Sequence, residues 1–554
     1  MKPRYFLPFF AFLLATIGLG QAAKVQVGKS FTRVAKGAAG DLHTVVAGVL
    51  VDDSQALLYV EDGLVHKVVR LDAQLIPTDE LVLSNHAFDG LTWNGMAPFI
   101  ADGTLHCLLV SQGKKTTEYA IGAVSTRGAP ALGNLKRVAT SDLPLSSNAT
   151  NSLAIRSLPD PILFNKGLSY AQSERIITSP DGQHFLLNNF TLDEKGNKQF
   201  WCAYLDKNFK ELWSGTKELP YPDFRSRIHQ ISLANDGTIH LVTYLFKCES
   251  EEQVSDKMCH EIHLTTISED GKTVKDLLVD KDFVSTARLC ERDGGKVSMA
   301  IRYGSLTGQP GVVMTFDPTD PKLKTTPLVD QRIASIHKTR LMAYGSIEPG
   351  AKKTTVARTA KVPNEVVDLV PAWDGGLILV ETFLEPAFQI PMGEAIAMRR
   401  LAGDVRTSYI ASNDSIKWQQ INERAFMTTA GQAYEGVDIH LSDKGLTLLY
   451  DHTPKGLDAI NVSGQAPAEE GEGKGKGKKD KMESPMESGV LKAVTLDTQG
   501  KVVAEGTALI HPDGYMPCPN GSIAGNSGKI FLVKCFDRQT TYGYALIDAS
   551  KVGQ

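Results

Sequence analysis

Charged, aromatic and histidine side chains recur in the extended segments that precede the Asp-Gly turns of this sequence. Arginines mixed with carboxylates and aromatic rings offer the donors, acceptors and flat apolar surfaces that hold a polar ligand such as a peptide or a sugar. The candidate ligand-binding residues are Trp93, Arg175, Arg227, His229, Arg288, Glu365, Asp368, Tyr434 and Glu435, with Asn94, Glu174 and Asp438 beside them. The alternative is that each is an ordinary strand-end residue in water or in an internal salt bridge.

Familiar catalytic and metal-binding motifs are absent from the sequence. It has no Gly-x-Ser-x-Gly elbow, no His-Glu-x-x-His, no glycine-rich phosphate loop and no zinc-type Cys/His spacing. The segment from His260 to His263 superficially suggests a metal site, but side chains alternate along a strand, so these two histidines should lie on opposite faces. We expect a surface strand there, predict no metal and no cofactor, and assign no catalytic residue.

A turn that recurs between two extended apolar segments gives the strongest structural signal. Asp-Gly and related pairs supply the positive φ that tight hairpins need, so each copy predicts strand, turn, strand. Six copies are clear, at 101–103, 179–182, 235–237, 293–295, 374–376 and 442–445, and two are degenerate, at 52–54 and 526–528.

A second turn, of the Leu-Asp type, follows each first turn, as at Leu205-Asp206 and Ile547-Asp548. Two turns per unit require at least four strands per unit. Repeated four-stranded units with abundant glycine and almost no helical pattern predict an all-β fold, a single β-propeller of about eight blades. Seven blades is the alternative because two turns are degenerate, and a tandem of β-sandwiches is the alternative architecture.

The chain ends indicate how the ring closes. Only six residues follow the turn at Ile547-Asp548, too few for a good outer strand, whereas the strand-like segment 25–34 has no unit before it. Pairing that segment with the last blade would close the ring and leave no edge strand at the seam.

One unit carries a family resemblance. Ser179-Pro180-Asp181-Gly182, followed by Gln-His-Phe-Leu-Leu, resembles the repeat of TolB-type (WD-like) periplasmic β-propellers, in which Ser-Pro-Asp-Gly joins the first two strands of a blade. The other units keep Asp-Gly and lose Ser-Pro. The resemblance implies the fold and an exported setting, and it implies no function, because such repeats serve docking, glycan binding, proteolysis and lyase chemistry alike.

The first 23 residues predict export. Lys2 and Arg4 precede an apolar stretch, which ends in small residues at 20–23, the pattern of a cleaved signal peptide. Residues 24–554 would then form the propeller in the periplasm or outside the cell, with no integral membrane segment after cleavage. The net charge of −4 gives no general attraction to nucleic acid, so we predict no nucleic-acid partner.

Cysteines and a low-complexity segment complete the organisation. Cys248 with Cys259, and Cys518 with Cys535, are disulfide candidates because each pair brackets a loop, while Cys107, Cys202 and Cys290 lie among apolar residues as expected for buried thiols. The Glu/Gly/Lys-rich segment 467–489 predicts a disordered loop inserted in the seventh unit. Asn-x-Ser/Thr sequons occur at Asn148, Asn189, Asn413, Asn461 and Asn520.

These observations predict a monomer that acts as an extracytoplasmic binding or scaffolding propeller, with an unidentified protein, peptide or glycan as ligand. The missing catalytic motifs favour this hypothesis. The alternative is a hydrolase or lyase that acts on a polysaccharide or peptide in the central funnel, where a histidine with acidic neighbours would transfer the proton.

Overall fold

A computed structural model gives the fold of the chain. It describes residues 26–27, 32–33, 44–52, 54–62, 65–113, 115–143, 175–192, 197–222, 226–246, 260–281, 284–303, 311–317, 320–328, 364–384, 388–392, 395–424, 426–428, 436–452, 490–510, 516–525, 530–536 and 541–548.

Eight antiparallel sheets follow one another along the chain, and each is a blade. Two short N-terminal strands come first, β1 (Gln26–Val27) and β2 (Thr32–Arg33). Blade one contains β3 (Thr44–Asp52), β4 (Gln55–Asp62), β5 (Val65–Leu71) and β6 (Pro77–Val82). Blade two contains β7 (His86–Phe88), β8 (Leu91–Ala101), β9 (Thr104–Gln112), β10 (Thr117–Val124) and β11 (Leu132–Ser141).

The next three blades have four strands each. Blade three contains β12 (Ile176–Thr178), β13 (His184–Leu192), β14 (Asn197–Asp206) and β15 (Glu211–Pro222). Blade four contains β16 (Ser226–Leu233), β17 (Ile239–Phe246), β18 (His260–Ile267) and β19 (Val274–Asp280). Blade five contains β20 (Val284–Glu291), β21 (Val297–Tyr303), β22 (Val312–Asp317) and β23 (Asp320–Pro327).

The last three blades complete the ring. Blade six contains β24 (Asn364–Pro371), β25 (Leu377–Leu384), β26 (Phe388–Met392), β27 (Ala395–Ile410), β28 (Ile416–Asn422) and β29 (Phe426–Thr428). Blade seven contains β30 (Val437–Ser442), β31 (Gly445–His452), β32 (Val490–Asp497) and β33 (Val502–Ile510). Blade eight contains β34 (Met516–Ala524), β35 (Ile530–Phe536) and β36 (Thr541–Asp548).

The prediction of an all-β propeller of eight four-stranded blades is confirmed, and the alternatives of seven blades and of a sandwich tandem are wrong. The eighth sheet takes its outer strand from the N-terminus, because Gln26 pairs with Leu546 and Thr32 pairs with Tyr542. The ring therefore closes as expected from the chain ends. The sequence did not predict β7 or the extra strands around the long β27.

One of the first strands of each blade lies innermost, because most of these strands contact the corresponding strand of a neighbouring blade. We call β3, β8, β12, β16, β20, β24, β30 and β34 the inner strands. Five of them are interrupted by a one-residue bulge where they pair with the second strand. The bulges follow Val45, Gly95, Ile228, Val284 and Val366. A bulge changes the direction of the side chain on its extra residue, so the same irregularity recurs in the channel wall of these five blades.

Apolar clusters between neighbouring blades form the core. Two tryptophans on outer strands strengthen these contacts in the same way. Trp213 of β15 covers Gly271 of blade four, and its indole N–H donates to the Glu269 carbonyl. Trp418 of β28 covers Gly500 of blade seven and donates to a carbonyl two residues before that glycine. A Cβ on either glycine would collide with the ring, so these turns need glycine for packing as well as for positive φ.

Several predictions concern single residues. Cys107, Cys202 and Cys290 are buried free thiols, as expected. None of these three forms a disulfide, and the side chains of Cys518 and Cys535 lie outside what the structure describes. The backbone of Cys518 pairs with Lys534 and that of Cys535 pairs with Pro517, so the two cysteines are one position out of register on neighbouring strands.

Other predictions fall partly or wholly on undescribed residues. Cys248, Cys259 and the segment 467–489 lie outside the described part of the chain. The sequon residue Asn189 has no exposed surface, so the folded chain would not present it to a glycosyltransferase. No helix in the described ranges is long and apolar enough to cross a membrane.

Candidate functional site

Strand register places several predicted ligand-binding residues at one level of the channel wall. In each of blades one to seven, one inner-strand residue pairs with the residue that carries the first buried side chain of the second strand. The residues three positions before these inner-strand residues occupy equivalent positions in the channel wall. They are, in order, Ala47, Ala97, Arg175, Gln230, Arg288, Asp368 and Asp438. Blades one and two thus carry alanine there, and blades three to seven carry polar or charged residues. We call this set the channel ring.

Charge is segregated within the channel ring. Its arginines, Arg175 and Arg288, lie on blades three and five, and its carboxylates, Asp368 and Asp438, lie on blades six and seven. A ligand that carries both positive and negative groups would match this arrangement better than a uniformly charged polymer.

His229 occupies the bulge of β16 beside the channel ring and is 4 % exposed. Its Nε2 lies 2.8 Å from the Ala287 carbonyl oxygen, which can only accept, so Nε2 carries the proton. The Arg288 guanidinium lies 3.2 Å from the same nitrogen and therefore donates to the Ala287 carbonyl instead, at 3.0 Å. The Nδ1 atom of His229 is buried and has no hydrogen-bond partner.

Burial, with the Arg288 charge as the second cause, lowers the pKa of His229 to about 3. Unfolded histidine titrates near 6.5, so between about pH 6.5 and 3 the unfolded chain binds one more proton than the native chain. Native stability is therefore lost as the pH falls through this window, and His229 is a poor proton donor at neutral pH.

The His229→Gln variant tests this linkage. We expect the variant to lose less unfolding free energy than the wild type between pH 7 and pH 4.5, by about 1 kcal/mol or more. Chemical denaturation at the two pH values measures the difference. His86→Gln is the matched control, since its imidazole bonds only to the Val82 carbonyl at the surface. Equal acid sensitivity of the His229 variant and the wild type would contradict the assignment.

Arg288 connects blades five and six. Besides the Ala287 carbonyl of its own blade, its Nε donates to the Val367 carbonyl of blade six at 3.2 Å. On blade six, burial raises the pKa of Asp368 and nearby Asp438 adds to the rise, while Arg288 and the Leu369 N–H oppose it. Asp368 is thus easier to protonate than an exposed carboxylate.

Blades seven and eight add a histidine, a serine and a carboxylate in mutual contact. His440 Nε2 lies 3.0 Å from Asp438 Oδ2 and 2.8 Å from Ser522 Oγ. The same Asp438 oxygen accepts from the Ser522 backbone N–H at 3.0 Å and from the Ser522 hydroxyl. The sequence analysis missed His440 and Ser522. Asp438 and His440 lie two residues apart on one strand and therefore on one face, so this spacing could have indicated His440.

The remaining predicted site residues divide into three groups. Trp93 has no exposed surface and donates from Nε1 to the Phe88 carbonyl at 2.8 Å, so it belongs to the core between blades one and two. For Arg227 and Glu365 the structure gives only backbone pairing, with Tyr244 and Thr382. The others, Glu174, Tyr434 and Glu435, lie outside the described residues.

The strand around His263 differs from the surface strand that we expected. Glu261 and His263 are both buried and share one face. His263 Nε2 lies 3.1 Å from Glu261, and Nδ1 lies 2.8 Å from Asp276 and 2.7 Å from the Tyr221 hydroxyl. The Tyr221 contact joins this cluster on blade four to blade three. The described residues hold no group of three or more side chains suited to a metal ion.

Comparison with known proteins gives structural similarity only. No protein-family model matches the chain, and no curated protein matches it by sequence. Prolyl oligopeptidase B from Galerina marginata in its apo form is 11 % identical over 90 % of this chain and 56 % of that one, with a TM-score of 0.36. The polysaccharide lyase Uly1 is 10 % identical over 95 % and 98 % of the two chains, with a TM-score of 0.35.

An endo-arabinase from Bacteroides thetaiotaomicron is 12 % identical over 55 % of this chain and 98 % of that one, with a TM-score of 0.25. The chain spans a little over half the length of the prolyl oligopeptidase that it matches. These similarities are too distant to carry a function to this chain.

Proposed function

We propose that this protein is an exported binding propeller that holds a peptide segment of a partner protein at its central channel. The channel ring carries the proposal, because neighbouring blades bring arginines and carboxylates to one level and leave the two sides oppositely charged. A peptide offers backbone donors and acceptors along its length together with charges of both signs, which a neutral glycan lacks. The predicted signal peptide and the TolB-like Ser-Pro-Asp-Gly turn support the exported setting.

A thermal-unfolding screen of residues 24–554 against peptide pools, glycans and divalent metals tests the proposal. A ligand that binds only the folded state raises the unfolding midpoint, and we expect a rise of roughly 2 °C or more with peptides. Arg288→Gln and Asp368→Asn should abolish the rise. The matched control variants are Arg137→Gln and Asp79→Asn, away from the channel. Glycan-only stabilisation, or peptide stabilisation unchanged in the two channel variants, would overturn the proposal.

A hydrolase is the second candidate function, favoured by the contact of His440 with Ser522 and Asp438. The geometry differs from a nucleophilic triad because the carboxylate and the hydroxyl approach the same nitrogen, whereas a triad carboxylate holds the opposite ring nitrogen. The Ser522 hydroxyl donates its hydrogen bond to Asp438 here, so the histidine does not act as the base that activates the serine. Labelling by a fluorophosphonate probe that disappears in Ser522→Ala would establish the hydrolase instead of the binding protein.

A further inference from the structure

A shallow groove lies between blades six and seven, where their first hairpins turn. It has a volume of about 320 Å³ and is lined by Pro371, Ala372, Trp373, Leu441, Ser442 and Asp443. Leu441 follows Asp438 by three residues and Pro371 follows Asp368 by three, so the groove opens about 10 Å along the strands from the acidic side of the channel ring. A ligand in the channel could extend into it.

Tyr409 packs against Trp373, the aromatic side chain of the groove, and holds it in place. The Trp373 ring stacks on Tyr409 with centroids 6.0 Å apart and planes at 25°. The Tyr409 hydroxyl donates to Asp374, and the ring lies over Gly376, where a Cβ would come within 2.7 Å of it. These contacts therefore fix the position of the Trp373 ring. Trp373 is half-buried, so part of its indole can contact a ligand.

Apolar surface continues across the groove to the other hairpin. Leu441 is 38 % exposed although it is aliphatic, and it lines the groove together with Trp373. An aliphatic chain laid between the two side chains would bury apolar area from both.

The charge around the groove is negative. Asp374 and Asp443 are exposed at its two hairpins, and Asp293 of blade five approaches the first hairpin at Gly375. Of the basic groups nearby, Arg292 is bound to Asp414 at 2.5 Å. Lys444 is exposed beside Asp443 and offsets one of the three carboxylates. The groove therefore complements a cation.

We propose that the groove binds a lysine or arginine side chain of the peptide, an inference that rests on the proposed function. The alkyl part lies against Leu441 and Trp373, the charged end is held over the indole by a cation–π interaction, and Asp443 neutralises it. Tryptophan is the best aromatic partner for a cation, and a carboxylate at the same groove makes the selection electrostatic as well as apolar.

Peptide mixtures with one fixed position test the assignment. The probes are acetylated, amidated decapeptide mixtures with lysine, arginine, norleucine or glutamate at the fixed position and uncharged residues elsewhere, with maltohexaose as a neutral sugar. We expect the lysine and arginine mixtures to bind residues 24–554 at least fivefold more tightly than the norleucine mixture. Added salt should reduce that preference.

Variants locate the preference. Trp373→Ala and Asp443→Asn should each reduce the preference for a basic residue to less than twofold, and Asp443→Asn changes an exposed side chain, so it should fold. Leu212→Ala and Asp79→Asn, an exposed leucine and an exposed aspartate elsewhere, are the matched controls and should keep the preference.

The outcomes separate the two proposals. Peptide binding without a basic preference, or with a preference that survives both groove variants, overturns the groove assignment and leaves the channel proposal standing. Binding of the peptide pools but of none of these mixtures overturns the groove assignment alone. Absence of binding by the mixtures and by the peptide pools alike, with or without binding of maltohexaose, overturns the peptide proposal and the groove assignment together.

Discussion

Replacing Glu381 by Gln is expected to cost about 3–5 kcal/mol of unfolding free energy. Glu381 of β25 has no exposed surface and lies between two buried arginines. Arg302 of blade five donates to one carboxylate oxygen at 2.5 Å, and Arg406 of blade six donates to the other at 2.8 Å. Removing the carboxylate charge leaves two guanidinium groups in the interface between these blades with their shared counterion gone.

Glu80→Gln is the matched control, because Glu80 forms a single 3.5 Å ion pair with Lys67 and its side chain is 58 % exposed. We expect this change to cost less than about 1 kcal/mol. Guanidinium denaturation of both variants gives the comparison. Similar losses in the two variants would show that the buried cluster is not a stability determinant.

A triple variant separates the charge from the packing. Glu381→Leu combined with Arg302→Met and Arg406→Met removes all three charges and keeps side chains of similar volume. We expect the free energy of unfolding of this variant to be close to that of the wild type, since well-packed apolar residues often replace a buried ion cluster without loss of stability.

The blade count could be predicted from sequence because the turns have strict backbone requirements. Gly182, Gly237 and Gly375 all adopt positive φ in the predicted hairpins. The degenerate turn at Asp52 has no glycine, yet it forms because the Asp52 carboxylate accepts the backbone N–H groups of Ser54 and Gln55, each at 2.9 Å. Aspartate stabilises such a turn from its own side chain, which explains why the weakened motif still marked a blade.

The candidate site could be predicted only in part, because its partners come from different blades. Arg288 and Asp368 were identifiable as polar residues ahead of an Asp-Gly turn, and the structure places both in the channel ring. Trp93 also precedes an Asp-Gly turn, but it lies four residues before Ala97, the channel-ring position of blade two, and its side chain is buried beside β7, which no pattern predicted. The bulge that carries His229 also has no signature in the sequence, and Ser522 meets His440 only across 82 residues of chain.

Gly445→Ala is expected to cost about 3 kcal/mol or more, whereas Gly103→Ala should cost about 1–2 kcal/mol. Both glycines lie in inner hairpins and adopt positive φ, +144° at Gly445 and +68° at Gly103. A Cβ at Gly103 meets nothing within 4 Å, so only backbone strain opposes the alanine. At Gly445 a Cβ would lie 1.9 Å from the Leu496 carbonyl oxygen, so β31 would have to leave its register with β32. Denaturation midpoints of the two variants measure the difference. Equal losses of stability would mean that the strands of blade seven move apart to accommodate the added methyl group at little cost.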